Sequence, residues 1–237
     1  IFFKATAEGA ETEISLVTGD NFAPFVDRRA SGGGMVTRIV RAAYQSLGVE
    51  AQIEFVPWKR AAELVARGER VGTFPYIETP ERREKYLFSD PLFVTKFVVV
   101  FNKKSGIISQ NIDSLKGKTM CNPMGFALPG SIKERVNSGK IRVTVEPDKI
   151  EACFRLVKRK RADFMISEEL IAHRMKKEII DNFRLLRISS LVVDRASYHF
   201  IVGKKQANAK EKIKIINRGI KKIRKNNLHQ EIVDEYK

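Results

Sequence analysis

Apolar residues follow two different periodicities in the first part of the chain. Three short runs rich in β-branched and aromatic residues predict strands, at residues 13–18, 51–56 and 71–77. Two segments repeat apolar residues every three or four positions before a glycine and predict helices, at residues 34–47 and 59–66. This alternation predicts an α/β unit in which helices cover a mostly parallel sheet.

Strand and helix signals continue in the rest of the chain. Residues 93–101 form a β-rich run that is long for one short buried strand. Further strands are predicted at residues 119–122, 142–145, 163–166 and 198–202. Helices are predicted at residues 150–160 and 168–177, and the segment from residue 208 to residue 236 is predicted to be helical.

Charge narrows the choice of partner only slightly. The chain has 237 residues and a formal net charge of +16, with a basic cluster from Lys204 to Lys225. Isoleucines recur among these cations, which is typical of an amphipathic helix with a solvated cationic face. A nucleic-acid groove would interleave aromatic residues, and this segment has none before Tyr236. The pattern therefore favours a solvated helix face over nucleic-acid binding, which stays open as an alternative.

The sequence offers no motif for catalysis or metal binding. It contains no Gly-x-Ser-x-Gly elbow, no His-Glu-x-x-His and no phosphate-binding loop. Two cysteines and three scattered histidines lack the spacing of metal ligands. No run of about 18 apolar residues is present to span a membrane. We expect no catalytic residue, no metal and no cofactor.

A candidate anion-binding residue follows the third predicted strand. Thr79 can cap a short helix, and Pro80 fits its first position because no N–H is needed there. Arg82 then lies near the helix N-terminus, where backbone N–H groups favour an anion. A planar guanidinium can bind a carboxylate through two parallel hydrogen bonds. The alternative is a surface arginine paired with Glu78 or Glu81.

Several segments in a fixed order resemble the bacterial extracellular solute-binding proteins of family 3. These are Asp20-Asn21-Phe22-Ala23-Pro24-Phe25, Thr79-Pro80-Glu81-Arg82, Phe88-Ser89-Asp90-Pro91, Ser114-Leu115-Lys116-Gly117-Lys118 and Arg161-Ala162-Asp163. The resemblance runs from about residue 13 to the C-terminus. It implies a two-lobed, type II periplasmic-binding-protein fold, each lobe a mostly parallel sheet flanked by helices, joined by a two-strand hinge. The first lobe would combine residues 1–94 and 199–237, and the second would hold residues 95–198.

The resemblance also implies ligand-binding residues in the first lobe. Phe22 and Trp58 match aromatic walls, with core packing as the alternative for each. Arg82 matches the arginine that binds an α-carboxylate. Tyr76 and Ile77 precede it where the family has small residues, and the Tyr76 phenol could replace a polar contact that Pro75 cannot make.

In the second lobe the resemblance implies a less polar set of contacts. Phe126 and Ala127 stand where the family has a hydroxyl-bearing turn and would offer only backbone N–H groups. Glu168 matches an acid that receives an amino group, with stabilisation of a helix N-terminus as the alternative. The same resemblance places Cys121 and Cys153 close together in an oxidising compartment, where a disulfide and two buried thiols both remain open.

The function implied is capture of an amino acid or related carboxylate between two lobes, followed by delivery to the membrane permease of an ABC transporter. The protein would be a monomer, located in the periplasm or another extracytoplasmic space, with a signal peptide already removed. The alternatives are the ligand-sensing domain of a signalling receptor and a dehydratase-like enzyme on the same fold.

Overall fold

The computed structural model describes residues 13–124, 126, 128–147, 149–175 and 183–236. The chain divides into two compact units. Unit 1 combines the chain up to Phe93 with Tyr198–Tyr236, and unit 2 is formed by Val94–Ser197. The described helices include none that is long and apolar enough to cross a membrane.

The described residues form the following regular elements. The strands are β1 (Glu13–Thr18), β2 (Glu50–Phe55), β3 (Thr73–Ile77), β4 (Tyr86–Phe88), β5 (Phe93–Asn102), β6 (Thr119–Cys121), β7 (Arg142–Val145), β8 (Phe164–Glu168) and β9 (Leu186–Gly203). The helices are α1 (Met35–Gln45), α2 (Trp58–Ala66), α3 (Pro80–Lys85), α4 (Gly130–Asn137), α5 (Ile150–Lys158), α6 (Glu169–Arg174), α7 (Ala209–Lys225) and α8 (Leu228–Asp234).

The sheet of unit 1 is built around β1. This strand pairs in parallel with β2 on one side and β3 on the other. The last residues of β9 pair antiparallel with β3 and with β4. Leu16, Phe74 and Phe200 are fully buried in this unit. Helix α7 packs on α1 so closely that a Cβ on Gly219 would lie within 3.0 Å of the Ala43 backbone.

The sheet of unit 2 has β6 between β7 and β8 in parallel, with β5 antiparallel to β8. The Asp163 carboxylate joins the starts of two of these strands by accepting from the Thr119 amide and hydroxyl, both at 2.8 Å. A disulfide links Cys121 on β6 to Cys153 on α5 with a Cα–Cα distance of 5.5 Å. Both cysteines are fully buried, so the bond fixes the helix to the sheet inside the core.

The α/β class predicted from the sequence is confirmed, and several elements differ in extent. Helix α4 was not predicted. The predicted strand at residues 198–202 is the end of β9, which begins at Leu186. The helical C-terminal segment is two helices, separated at Asn227, whose φ is 68°. The predicted helix at residues 168–177 begins one residue later, at Glu169, and its last two residues lie outside the described part of the chain.

Candidate functional site

Phe22 lies in a tight loop that follows β1 in unit 1. The loop is closed by backbone hydrogen bonds between Phe22 and Val26 in both directions, at 2.8 and 2.9 Å. The half-buried Phe22 ring contacts the rings of Phe25, Trp58 and Tyr198, with centroid distances of 5.0, 6.1 and 5.9 Å. Phe22 is therefore one wall of an aromatic cluster that retains a partly exposed face.

Trp58 begins α2 and is fixed to the same loop. Its indole Nε1 donates to the Asp20 carbonyl at 3.1 Å, and its ring lies 5.9 Å from the Tyr76 ring in an edge-on arrangement. The Asp20 side chain is in turn held by an ion pair with Arg28. Burial opposes ionisation of this carboxyl, but the N–H donors of Arg28 and Asn21 outweigh it and lower the pKa of Asp20.

Gly19 leaves the space that the indole of Trp58 occupies. A Cβ at this position would lie less than 3.0 Å from the ring, which no side chain tolerates without displacement. We expect Gly19→Ala to push Trp58 out of its position and destabilise the fold by about 1–3 kcal/mol, the usual cost of overpacking. Because Trp58 is the only tryptophan of the chain, its fluorescence emission should shift to longer wavelength.

Gly130→Ala is the matched control for this prediction. A Cβ on Gly130 would meet no atom closer than 3.9 Å, and the residue lies in unit 2. The control should keep the wild-type emission spectrum. An unchanged spectrum for Gly19→Ala as well would show that the loop does not constrain the indole.

Tyr76 is buried next to Trp58. It is only 8% exposed, and its hydroxyl donates to the Trp58 carbonyl at 3.1 Å. Burial raises the pKa of Tyr76 to about 12, so the phenol stays protonated at neutral pH. The phenol thus donates to the backbone of Trp58, and its polar contact with a ligand stays a prediction.

Arg82 is held by two contacts that leave most of its donors available. Its Nη1 donates to the Ile77 carbonyl at 2.7 Å, and its guanidinium carbon lies 5.2 Å from the centre of the Tyr76 ring. Both contacts come from the end of β3, where Ile77 thus contributes through its backbone. The Arg82 amide donates to the Thr79 hydroxyl at 3.3 Å, which is the predicted helix cap.

Arg82 has no carboxylate partner among the described residues. The nearby acid Glu78 pairs instead with Arg83, at 2.8 Å. A guanidinium carries five N–H donors in a planar fork, and the carbonyl of Ile77 uses only Nη1. A half-buried arginine of this kind is suited to bind an anion, and a carboxylate matches its geometry.

The structure gives less support to the ligand-binding residues that were expected in unit 2 than to those in unit 1. The Phe126 amide donates to the Pro123 carbonyl at 3.0 Å, so this N–H closes a turn and is not the free donor that we expected. Phe126 is 39% exposed. Ala127 lies outside the described residues. Glu168 ends β8 and is 5% exposed, and its side chain forms no cap for α6.

Sequence reasoning missed three contributors to the unit 1 site. Gly19 provides the space for the indole, Asp20 accepts its N–H, and Tyr198 packs against Phe22. Gly19 and Asp20 did carry a local signal, because the segment singled out by the resemblance begins at Asp20, whereas Tyr198 reaches the site from a strand distant in sequence. Among the described residues no group of His, Cys, Asp and Glu side chains is placed to hold a metal ion.

The α/β fold is that of the two-lobed, type II periplasmic-binding-protein class. The profile of the bacterial extracellular solute-binding proteins, family 3, matches residues 14–237. The chain therefore belongs to this family. Among curated protein sequences, none matches the chain.

Solved structures share the fold at low sequence identity. The periplasmic VFT2 domain of BvgS from Bordetella pertussis has a TM-score of 0.77 and 18% identity, over 96% of this chain and 94% of that one. ArgBP from T. maritima has a TM-score of 0.70 and 22% identity, over 95% of each chain. The GluR0 ligand-binding core from Nostoc punctiforme, in complex with L-glutamate, has a TM-score of 0.71 and 18% identity, over 94% and 98%.

Proposed function

We propose that this protein is an extracytoplasmic receptor that binds a small polar solute, an amino acid or a related carboxylate, and delivers it to the membrane permease of an ABC transporter. The solute is bound and released without chemical change. The family supports the role of a solute receptor, and a solved protein of similar fold is described as the substrate-binding protein of an amino acid ABC transporter.

The choice of ligand class rests on the contacts that the Arg82 guanidinium makes. Its guanidinium is oriented by the Ile77 carbonyl and the Tyr76 ring, and the described residues offer it no carboxylate. A cation held in this way is stabilised when a ligand brings the missing anion. The Tyr76 ring contacts Trp58, and Trp58 contacts Phe22, so the aromatic cluster adds apolar surface that suits the aliphatic or aromatic part of an amino acid. Glu168 remains the proposed partner of a ligand amino group.

A sensing role is the second candidate. The observation in its favour is the similarity of the fold to the periplasmic VFT2 domain of BvgS. The binding chemistry would be the same in both roles, and only the recipient of the bound state would differ. A membrane-spanning helix encoded directly after residue 237 would favour sensing, whereas stimulation of a permease ATPase by the loaded protein would favour transport.

A thermal-denaturation screen tests the ligand class directly. The purified protein is heated with amino acids, organic acids without an amino group, polyamines and short peptides. A ligand present at about 100 times its dissociation constant should raise the free energy of unfolding by about 2.7 kcal/mol, which is a clear shift in Tm. Stabilisation by polyamines alone, with none by any carboxylate, would contradict the proposed ligand class.

A further inference from the structure

Helix α7 carries a surface that solute binding does not explain. Residues 204–225 contain eight lysines and two arginines against a single acid, Glu211. The helix is anchored on its inner side, where Ile216, Ile220 and Ile223 are buried. The apolar face of the helix is therefore already buried. Its packing does not explain why so many cations lie on the rest of its surface.

Five of these cations lie along one exposed face of α7. They repeat at intervals of four, four, three and four residues and are Lys210, Lys214, Arg218, Lys221 and Lys225. At 3.6 residues per turn they fall within an arc of about 80° and extend over about 22 Å. All five are exposed. We call these five residues the cationic stripe.

The cationic stripe has almost no counter-charge within the described residues. Only Lys214 has an ion pair, with Glu211 at 3.3 Å, and the two side chains are 71% and 54% exposed. Such an exposed pair contributes little and is screened by salt. The other four cations have neither a hydrogen bond nor an ion pair to a described side chain. Repulsion along the stripe is thus left unrelieved and would be reduced by an external anionic surface.

The chemistry of the cationic stripe distinguishes between possible anionic partners. A protein interface normally centres on buried aromatic or other apolar residues and is depleted in lysine. The described large apolar side chains that are exposed are Val94, Ile108, Met124 and Phe126, all in unit 2. Single-stranded nucleic acid would require aromatic residues for base stacking, and residues 204–225 contain none.

We propose that the cationic stripe docks unit 1 onto the surface of an anionic phospholipid bilayer. Lysine is a compact point charge and suits a diffuse array of phosphates better than it suits a geometrically defined acceptor. Four lysines and one arginine on one face of a helix can meet a flat surface together. Each basic residue near an anionic membrane contributes roughly a five-fold gain in binding. This role is independent of which solute the protein binds.

The test uses vesicles and two variants of equal charge. The stripe variant carries Gln at Lys210, Lys214, Arg218, Lys221 and Lys225, and the matched control carries Gln at the exposed unit 2 lysines Lys103, Lys104, Lys116, Lys133 and Lys140. Each change lowers the net charge from +16 by five, to +11. Glutamine is a good helix former and all ten positions are exposed, so both variants should fold, which circular dichroism verifies.

We expect the wild-type protein to sediment with vesicles of equal parts phosphatidylglycerol and phosphatidylcholine, and not with pure phosphatidylcholine. The stripe variant should bind the anionic vesicles at least about 100-fold more weakly, while the control stays close to wild type. Raising the salt concentration should release the wild-type protein. A partial variant with only Lys221→Gln and Lys225→Gln should show an intermediate loss.

Three results would overturn the proposal. The first is failure of the wild-type protein to bind anionic vesicles at low salt. The second is an equal loss in the stripe and control variants, which would reflect net charge rather than a surface. The third is tighter binding to duplex DNA than to vesicles at matched phosphate concentration, which would assign the cationic stripe to nucleic acid.

Discussion

Arg82→Ala is expected to weaken binding of the ligand found in the thermal screen by about 30- to 1,000-fold, or about 2–4 kcal/mol. The loss combines a charge-assisted contact with the cost of leaving the ligand carboxylate unpaired in a partly desolvated site. Arg82→Lys should recover only part of the affinity, because an ammonium cannot reproduce the planar fork. Isothermal titration calorimetry measures all three proteins.

Arg83→Ala is the matched control for this prediction. Arg83 is the next residue on α3, its side chain is 68% exposed, and it pairs with Glu78. Its removal deletes the same charge one position away and should leave affinity unchanged. Wild-type affinity in Arg82→Ala would show that the arginine serves only to hold the end of β3, through its bond to Ile77.

Removal of the disulfide should produce the largest loss of stability. Cys121 and Cys153 are separated by 32 residues in sequence, and cross-linking a loop of this length is expected to stabilise the fold by about 3–4 kcal/mol. The double variant Cys121→Ala/Cys153→Ala should lose this amount in urea denaturation. Reduction of the wild-type protein with dithiothreitol should give a similar loss.

The double variant also supplies the control, since dithiothreitol should not change its unfolding. Mass spectrometry without reduction reports the bond directly, as a mass two hydrogens lower than that of the reduced protein. Equal stability of the oxidised and reduced wild-type protein would mean that packing of the buried thiols alone holds α5 on β6.

The parts of the site that the sequence predicted are those with local causes. Thr79 and Pro80 are a cap and a first-turn residue, and both act within one turn of the helix that they begin. The position of Arg82 at the start of α3 followed from them. The strand–helix alternation of residues 13–77 was likewise predictable, because the hydrophobic periodicity of each segment lies within that segment.

The parts that were missed depend on residues distant in sequence. Helix α4 buries only Ile132, so its periodicity is weak, and its N-terminus is satisfied by Asp194, whose carboxylate accepts from the Gly130 amide at 3.0 Å. The bond from the Tyr76 hydroxyl to the Trp58 carbonyl is also tertiary. The break between α7 and α8 did carry a local signal, because asparagine tolerates the left-handed conformation that Asn227 adopts there.

The division of the chain also sets the order in which its parts can be completed. Unit 2 is one continuous stretch, whereas unit 1 lacks β9 pairing for β3 and the packing of α7 on α1 until Tyr198–Tyr236 is present. When the chain emerges from its N-terminal end, from a ribosome or a translocation channel, unit 2 can therefore fold completely before unit 1 does. The aromatic cluster around Phe22 is likewise complete only after Tyr198 has emerged.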